Sequence, residues 1–242
     1  MADMIFMTGA KGGSGATTCA IKVGLALAAL GERTLYVDGD GLCANGMQIA
    51  GVEGLCAYTL ADAVKGACRV KQTVINHPLS PRFYVLPTLG CGDRQFICNA
   101  VNTLSTSFDR IICDNTASAV CNRAVLVAEP YPAFVKSAVT ASARLKDVGF
   151  KKVELIANKV NGGLVFDGVI LTPQEYATIV RCELLGVVPE DLTLPLSGMN
   201  LNTKKAFELL AKRLLGGEKI YDVIRPYYGV KGKIKRKMRY CI

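Results

Sequence analysis

The chain has 242 residues, half of them hydrophobic, and a formal net charge of +9. That length and apolar content suffice for one sizeable core without disulfide or metal staples. No apolar run reaches the roughly 20 residues of a membrane-spanning helix, and the chain starts with a strand pattern rather than a charged leader, so a cytoplasmic protein is expected.

The first element is the apolar run Met4-Ile5-Phe6-Met7, a predicted strand, and it leads directly into Lys11-Gly12-Gly13-Ser14-Gly15-Ala16-Thr17-Thr18. A helical pattern follows over Thr17 to Leu30, stopped by Gly31. A glycine-rich turn between strand and helix points successive backbone N–H groups into a nest, and the helix N-terminus adds partial positive charge. Polyphosphate is the natural occupant of such a nest. The usual phosphate loop ends Gly-Lys-Ser/Thr, the lysine reaching the β/γ-phosphates and the hydroxyl binding Mg²⁺. Here Ala16 occupies the lysine slot, Thr17 keeps the hydroxyl, and a lysine stands instead at the head of the loop, Lys11.

This stretch resembles the deviant Walker A motif of the MinD/ParA family, Lys-Gly-Gly-x-Gly-Lys-Thr-Thr, at every position but Ala16. The resemblance implies a P-loop ATPase that sandwiches ATP and Mg²⁺ between two protomers, with Lys11 reaching the partner's nucleotide. It implies a cradle of Gly12, Gly13, Ser14, Gly15 and Ala16, with Thr17 on Mg²⁺ and Thr18 near the α-phosphate. Loss of the loop lysine removes a charge-assisted contact of roughly 1.5–3 kcal/mol, so binding is expected to persist while hydrolysis slows. MinD-like proteins of the pilus-localising TadZ/CpaE type are similar in having irregular loops of this kind.

Further along, strands are predicted at Thr34 to Val37, Phe83 to Leu86, Arg110 to Cys113, Ala124 to Val127, Val153 to Ala157 and Leu184 to Val187. Helices are predicted at Thr59 to Val64, Phe96 to Leu104, Ala133 to Asp147, Thr172 to Arg181 and Thr203 to Leu215, with Thr172-Pro173-Gln174-Glu175 read as a capped start. Alternation of this kind predicts an α/β fold, a doubly wound and mostly parallel sheet with helices on both faces. Ligands in such sheets sit at the carboxyl ends of the strands, which gives four segments their meaning.

Asp38-Gly39-Asp40 leaves the second strand with two carboxylates. By resemblance Asp38 serves Mg²⁺ or its hydration shell, Asp40 positions the attacking water, and Asn45 matches a switch-segment asparagine. Arg110-Ile111-Ile112-Cys113-Asp114 is an apolar strand ending in aspartate, the Walker B form that holds Mg²⁺ through Asp114. The loop after it reads Asn115-Thr116-Ala117-Ser118 where the family has Asp-x-Pro-Ala-Gly, a second reason to expect slow turnover. By resemblance, Asn158, Pro189 and Asp191 lie beside the adenine. Lys204 through Gly216 resembles the family's final helix, so the likeness covers nearly the whole chain.

Charge is concentrated at the end. Lys231, Lys233, Lys235, Arg236, Lys237 and Arg239 all fall within the final fourteen residues, against no acid there. Val230, Ile234, Met238 and Ile242 recur every four residues on a line that avoids all six, a basic amphipathic helix. Two parts are therefore expected: a nucleotide-binding domain over 1–228 and a tail over 229–242 that lies on an anionic membrane surface, as in MinD proteins. Contact with nucleic acid is an alternative, and so is a solvated tail. The location implied is the inner face of the cell membrane, held peripherally.

Ten cysteines contain no CxxC pair and mostly interrupt apolar segments, as buried thiols do. His77, the lone histidine, precedes Pro78 in a turn and is given no chemistry. The expected function is thus a dimeric nucleotide switch that positions division, pilus or organelle machinery, with an unnamed regulatory protein partner. Two other readings stay open: a scaffold that keeps the fold and has lost hydrolysis, and an iron-sulfur ATPase of the nitrogenase-reductase type using Cys91 and Cys121.

Overall fold

In chain order the strands are β1 (Asp3–Gly9), β2 (Thr34–Asp38), β3 (Ile75–Asn76), β4 (Phe83–Pro87), β5 (Arg110–Asp114), β6 (Arg123–Ala128), β7 (Val153–Val160) and β8 (Glu183–Pro189). They form one sheet in the order β3-β4-β2-β5-β1-β6-β7-β8, parallel throughout except where β3 pairs antiparallel with β4. The computed structural model describes residues 2–39, 45–194 and 198–228. The expected doubly wound α/β architecture is what the chain adopts.

The helices are α1 (Ala16–Ala29), α2 (Asn45–Ala50), α3 (Leu60–Val64), α4 (Arg94–Leu104), α5 (Val135–Asp147), α6 (Gly162–Phe166), α7 (Pro173–Val180) and α8 (Leu201–Leu214). Because successive strand residues face opposite ways, β1 sends Ile5 and Met7 into one core and Met4 and Phe6 to the other side. The first core joins the sheet to α1, α2 and α8 through Val23, Leu27, Met47, Phe207 and Leu210. Its counterpart has two lobes, one under α5 and α7 around Leu126, Leu155 and Tyr176, the other under α3 and α4 around Leu60, Leu86 and Val101. A strand buried on both faces needs a continuous apolar run, which explains why β5 and β6 read so clearly in the sequence.

Local signals end the helices where they should. Thr172 Oγ1 accepts from Glu175 N at 3.2 Å while Glu175 Oε2 accepts from Thr172 N at 2.9 Å, the reciprocal cap that opens α7. Two helices were not expected from sequence. Asn161 Oδ1 caps α6 by accepting from Gly163 N and Leu164 N, so a Gly-Gly pair that reads as loop becomes helical. The other, α2, is anchored by a carboxylate of the site described next.

Candidate functional site

Every parallel strand runs the same way, so the turns leaving β1, β2, β5, β7 and β8 gather along one edge of the sheet. There they enclose a cleft of about 1100 Å³ lined by Lys11 through Cys19, Asn45, Asp114, Asn158, Lys159, Pro189, Glu190 and Asp191. The predicted loop, the Walker B aspartate and the two late segments thus converge from distant parts of the chain. Asp40, and the tail 229–242, lie outside the described residues.

The floor of the cleft is the loop. Gly13 and Gly15 sit at φ 77° and 88°, a left-handed conformation that glycine alone adopts without strain. A Cβ on Gly15 would stand 2.4 Å from Asn158 Nδ2, whereas Gly12 and Gly13 have nothing within 4 Å of theirs. The loop is therefore packed on its inner side and open outward. Helix α1 follows with no side-chain cap at its N-terminus, so its first N–H groups point into the cleft. An uncapped N-terminus of a 14-residue helix behind a left-handed glycine turn fits an anion, and polyphosphate in particular.

Three side chains hold that loop in shape. Asn158 Nδ2 donates to Ser14 O at 2.8 Å, and Lys159 Nζ donates to Gly13 O at 2.6 Å. Glu129, at the exit of β6, accepts from Lys159 at 3.1 Å and from Lys11 at 3.3 Å. Lys11 is held further by the ring of Phe134, 4.1 Å from its ammonium. Within one chain, then, Lys11 is folded back on Glu129. Asn158 is buried, with one amide N–H given to the loop.

The acidic side is also built in two layers. Asp114 lines the cleft together with Thr17, the two groups a hydrated Mg²⁺ would meet. Behind them Tyr36 donates its hydroxyl to Asp114 Oδ2 at 2.9 Å and lies 3.5 Å from Asp38 Oδ1. Burial, then the carboxylates of Asp114 and Asp38, drive the Tyr36 phenol well above its ordinary range, so it remains a proton donor. Asp38 itself is deeper than expected and does not line the cleft. Its Oδ2 accepts from Met47 N at 3.2 Å, placing a negative charge at the start of α2 and seating that helix against the site. Burial, and then Asp114, push the Cys19 thiol up to about 12, so this cysteine at the cleft wall stays protonated.

On the far wall Asp191 accepts from Thr193 N at 3.0 Å and Thr193 Oγ1 at 2.6 Å through Oδ1, and from Asn200 N at 3.0 Å through Oδ2. Burial opposes its ionisation, but the hydrogen bonds from Thr193 and Asn200 together prevail and hold the carboxyl down at about 2. A lowered folded-state pKa contributes stability that is complete above the unfolded value near 3.8 and lost as pH falls toward about 2. Wild type should therefore melt above Asp191→Asn at neutral pH, and the gap should close between about pH 4 and pH 2. A gap that stays constant across that range would assign the loop's stability elsewhere.

Glu129, Lys159 and Tyr36 were missed from sequence. Glu129 follows an apolar strand as Asp38 and Asp114 do, a signal that could have found it. Cys91 and Cys121, the two cysteines of the iron-sulfur alternative, both pack against the α4 lobe of the core. No cluster of histidine, cysteine and carboxylate side chains suited to a metal ion occurs among the described residues.

Comparison with known proteins agrees with this geometry. The model of the CobQ/CobB/MinD/ParA nucleotide binding domain matches residues 5–202. The septum site-determining protein MinD of Thermotoga maritima is 29% identical over 242 residues, covering 89% of each chain. Its Escherichia coli K12 counterpart is 25% identical over 268 residues, covering 98% of each. Among solved structures, the MinD cell division protein of Aquifex aeolicus superposes with a TM-score of 0.81 at 23% identity, covering 90% of this chain and 98% of that one. MinD of Pyrococcus horikoshii, solved with Mg-ADP, gives 0.76 at 22% identity with the same coverage.

Proposed function

Because this chain belongs to the CobQ/CobB/MinD/ParA nucleotide binding domain family, we propose that it binds Mg-ATP in the cleft and acts as a nucleotide-dependent dimeric switch that positions cellular machinery at a membrane. The observation that carries this reading is the uncapped N-terminus of α1 behind the left-handed Gly13 and Gly15, facing a cleft that Asp114 shares with Thr17. Backbone N–H groups of Gly12 to Thr18 would hold the phosphates. Thr17 and Asp114 would hold Mg²⁺, which would supply neutralisation of phosphate charge there. Asp38 would act one layer out, orienting Asp114 through the shared Tyr36 hydroxyl and holding α2 at the rim.

Pro189 and Asp191 stand on the wall that would face the base, and Asn158 would set the loop's depth beneath it. Lys11 would carry the switch. In one chain its ammonium is satisfied by Glu129 and the Phe134 ring, and in the dimer it would exchange those contacts for the phosphates of a partner's nucleotide. Dimerisation is then favoured by exactly the ligand that repays the exchange, as linkage between association and binding requires. Residues 229–242 would add anionic lipid as the surface on which the dimer accumulates. Division, pilus and organelle positioning are all compatible with this cycle, and a regulatory protein partner would set its rate.

Ala16 and the left-handed Asn115 and Ala117 favour a second reading, a scaffold without hydrolysis that keeps nucleotide binding or only the fold. Sedimentation velocity of the full chain with Mg-ATP and with Mg-ADP separates the readings, in parallel with phosphate release measured with and without anionic vesicles. The switch predicts dimer with ATP, monomer with ADP and slow release. A monomer under both conditions would refute it, and dimer with no release would leave the scaffold.

A further inference from the structure

Two lysines share one carboxylate oxygen. Glu129 Oε1 accepts from Lys11 Nζ at 3.3 Å and from Lys159 Nζ at 3.1 Å, and the Glu129 side chain is only 9% exposed. A carboxylate so shielded from water needs a cation beside it, and one is sufficient. The second ammonium crowds the first, because like charges on the same oxygen repel each other. Each therefore weakens the other's hold on Glu129.

The two cations are anchored differently. Beyond Glu129, Lys11 has the face of the Phe134 ring, 4.1 Å from its ammonium, a contact with no directed hydrogen bond. Lys159 has a second oxygen, Gly13 O at 2.6 Å. Its backbone is shaped for the position: φ is 54°, left-handed, where the β7–β8 register shifts between Ala157 and Val160. Strain of this kind persists where the surroundings hold it, and here Glu129 and Gly13 do so. When Lys11 departs, Lys159 stays, and Glu129 is not left as a buried charge without a partner.

We infer that Glu129 and Lys159 form a balanced latch on Lys11: the carboxylate keeps Lys11 within its own chain, and Lys159 sets how readily it is released for dimerisation. The inference rests on the reading in which Lys11 crosses to a partner's nucleotide. Without Lys159 the whole charge of Glu129 falls to Lys11, and release strands a buried carboxylate, a strongly unfavourable state. With Lys159 in place the same release leaves an ion pair behind. Lys159 is a positioning residue in this scheme, acting on Lys11 through Glu129 and not on the nucleotide.

The test is sedimentation equilibrium of the full-length protein in saturating Mg-ATP, comparing wild type, Lys159→Met, Glu129→Gln and the double variant. Calorimetry establishes saturation, and melting curves show that each protein is folded. Lys159→Met should weaken the dimer about ten- to a hundredfold, less than a fully buried pair would give because Lys159 is itself nearly half exposed. Glu129→Gln should tighten the dimer, and the double variant should match Glu129→Gln within a few-fold, because Lys159 then has no charge to balance. Lys159→Met that dimerises as wild type does, or Glu129→Gln that dimerises no better, overturns the inference and leaves the switch intact. A double variant as weak as Lys159→Met, or a Lys159→Met protein that Mg-ATP cannot saturate, also overturns it, reducing Lys159 to a brace for Gly13. Wild type that stays monomeric in Mg-ATP removes both the latch and the switch.

Discussion

Substituting Gly39 by alanine is expected to abolish Mg-nucleotide binding and to lower stability by about 1–3 kcal/mol, the usual range for forcing atoms into a packed position. A Cβ at Gly39 would fall 1.8 Å from Asp114 O and 3.1 Å from Thr116 Cβ. The obstacle is backbone, so no rotamer change relieves it. The strands β2 and β5 must separate at their carboxyl ends, where Tyr36 bridges Asp38 and Asp114 over 3.5 and 2.9 Å. Spreading these groups by even 1 Å breaks hydrogen bonds that weaken steeply with geometry. The expected loss in affinity thus exceeds what the stability change alone predicts. Calorimetry at a temperature where the variant is fully folded reads the two apart. A folded Gly39→Ala protein that binds Mg-ATP as wild type does would show that the carboxylate pair is not part of the site.

The contrast between Asp114 and Lys159 shows what a sequence discloses and what it conceals. Asp114 ends an apolar run, and period and composition together locate both its strand and its place at the ligand edge. The same logic located Asp38, yet not its depth: that it lies a layer below the cleft and seats α2 follows from Met47 N, nine residues on, folding back over it. Lys159 depends on a backbone irregularity inside a strand predicted to stop at Ala157. A left-handed residue leaves no periodic trace, so its direction could not be read in advance. The edge strand β3 was invisible for a related reason: two residues, Ile75 and Asn76, carry too little alternation to register. All seven parallel strands were legible because the middle of each is buried and so is mostly apolar, with polar residues confined largely to the ends. The loop was legible by motif and Asn158 by its place after a strand, whereas Asn158's bond to the loop and the parts of Glu129 and Lys159 were not, because these contacts span long separations in the chain.

Arg123→Met should cost about 2–4 kcal/mol and lower the melting temperature by roughly 5–15 °C, with nucleotide affinity of the folded protein unchanged. Arg123 opens β6 and donates through Nε to Glu154 Oε2 and through Nη2 to Glu154 Oε1 at 2.8 Å, while its Nη1 lies 3.7 Å from Asp3. Glu154 is 2% exposed in its side chain, so removing the guanidinium leaves a buried carboxylate without its main partner. Lys152, 3.7 Å away, offsets part of the loss and puts the estimate below the full penalty for a broken buried pair. The chain of charges continues to Arg110, which binds Asp3 at 2.6 Å and Glu32 at 3.1 Å, so β5, β1, β6 and β7 are tied together at their amino ends. Those ends lie across the full strand length from the cleft. Register errors in a parallel sheet would misalign every turn at the other edge, so the ion pairs fix the frame on which the site depends without touching it. Replacing both partners, Arg123→Met with Glu154→Met, should recover most of the lost stability, because two apolar groups of similar volume carry no desolvation penalty. A single variant that melts within 2 °C of wild type would mean that backbone pairing alone sets the register.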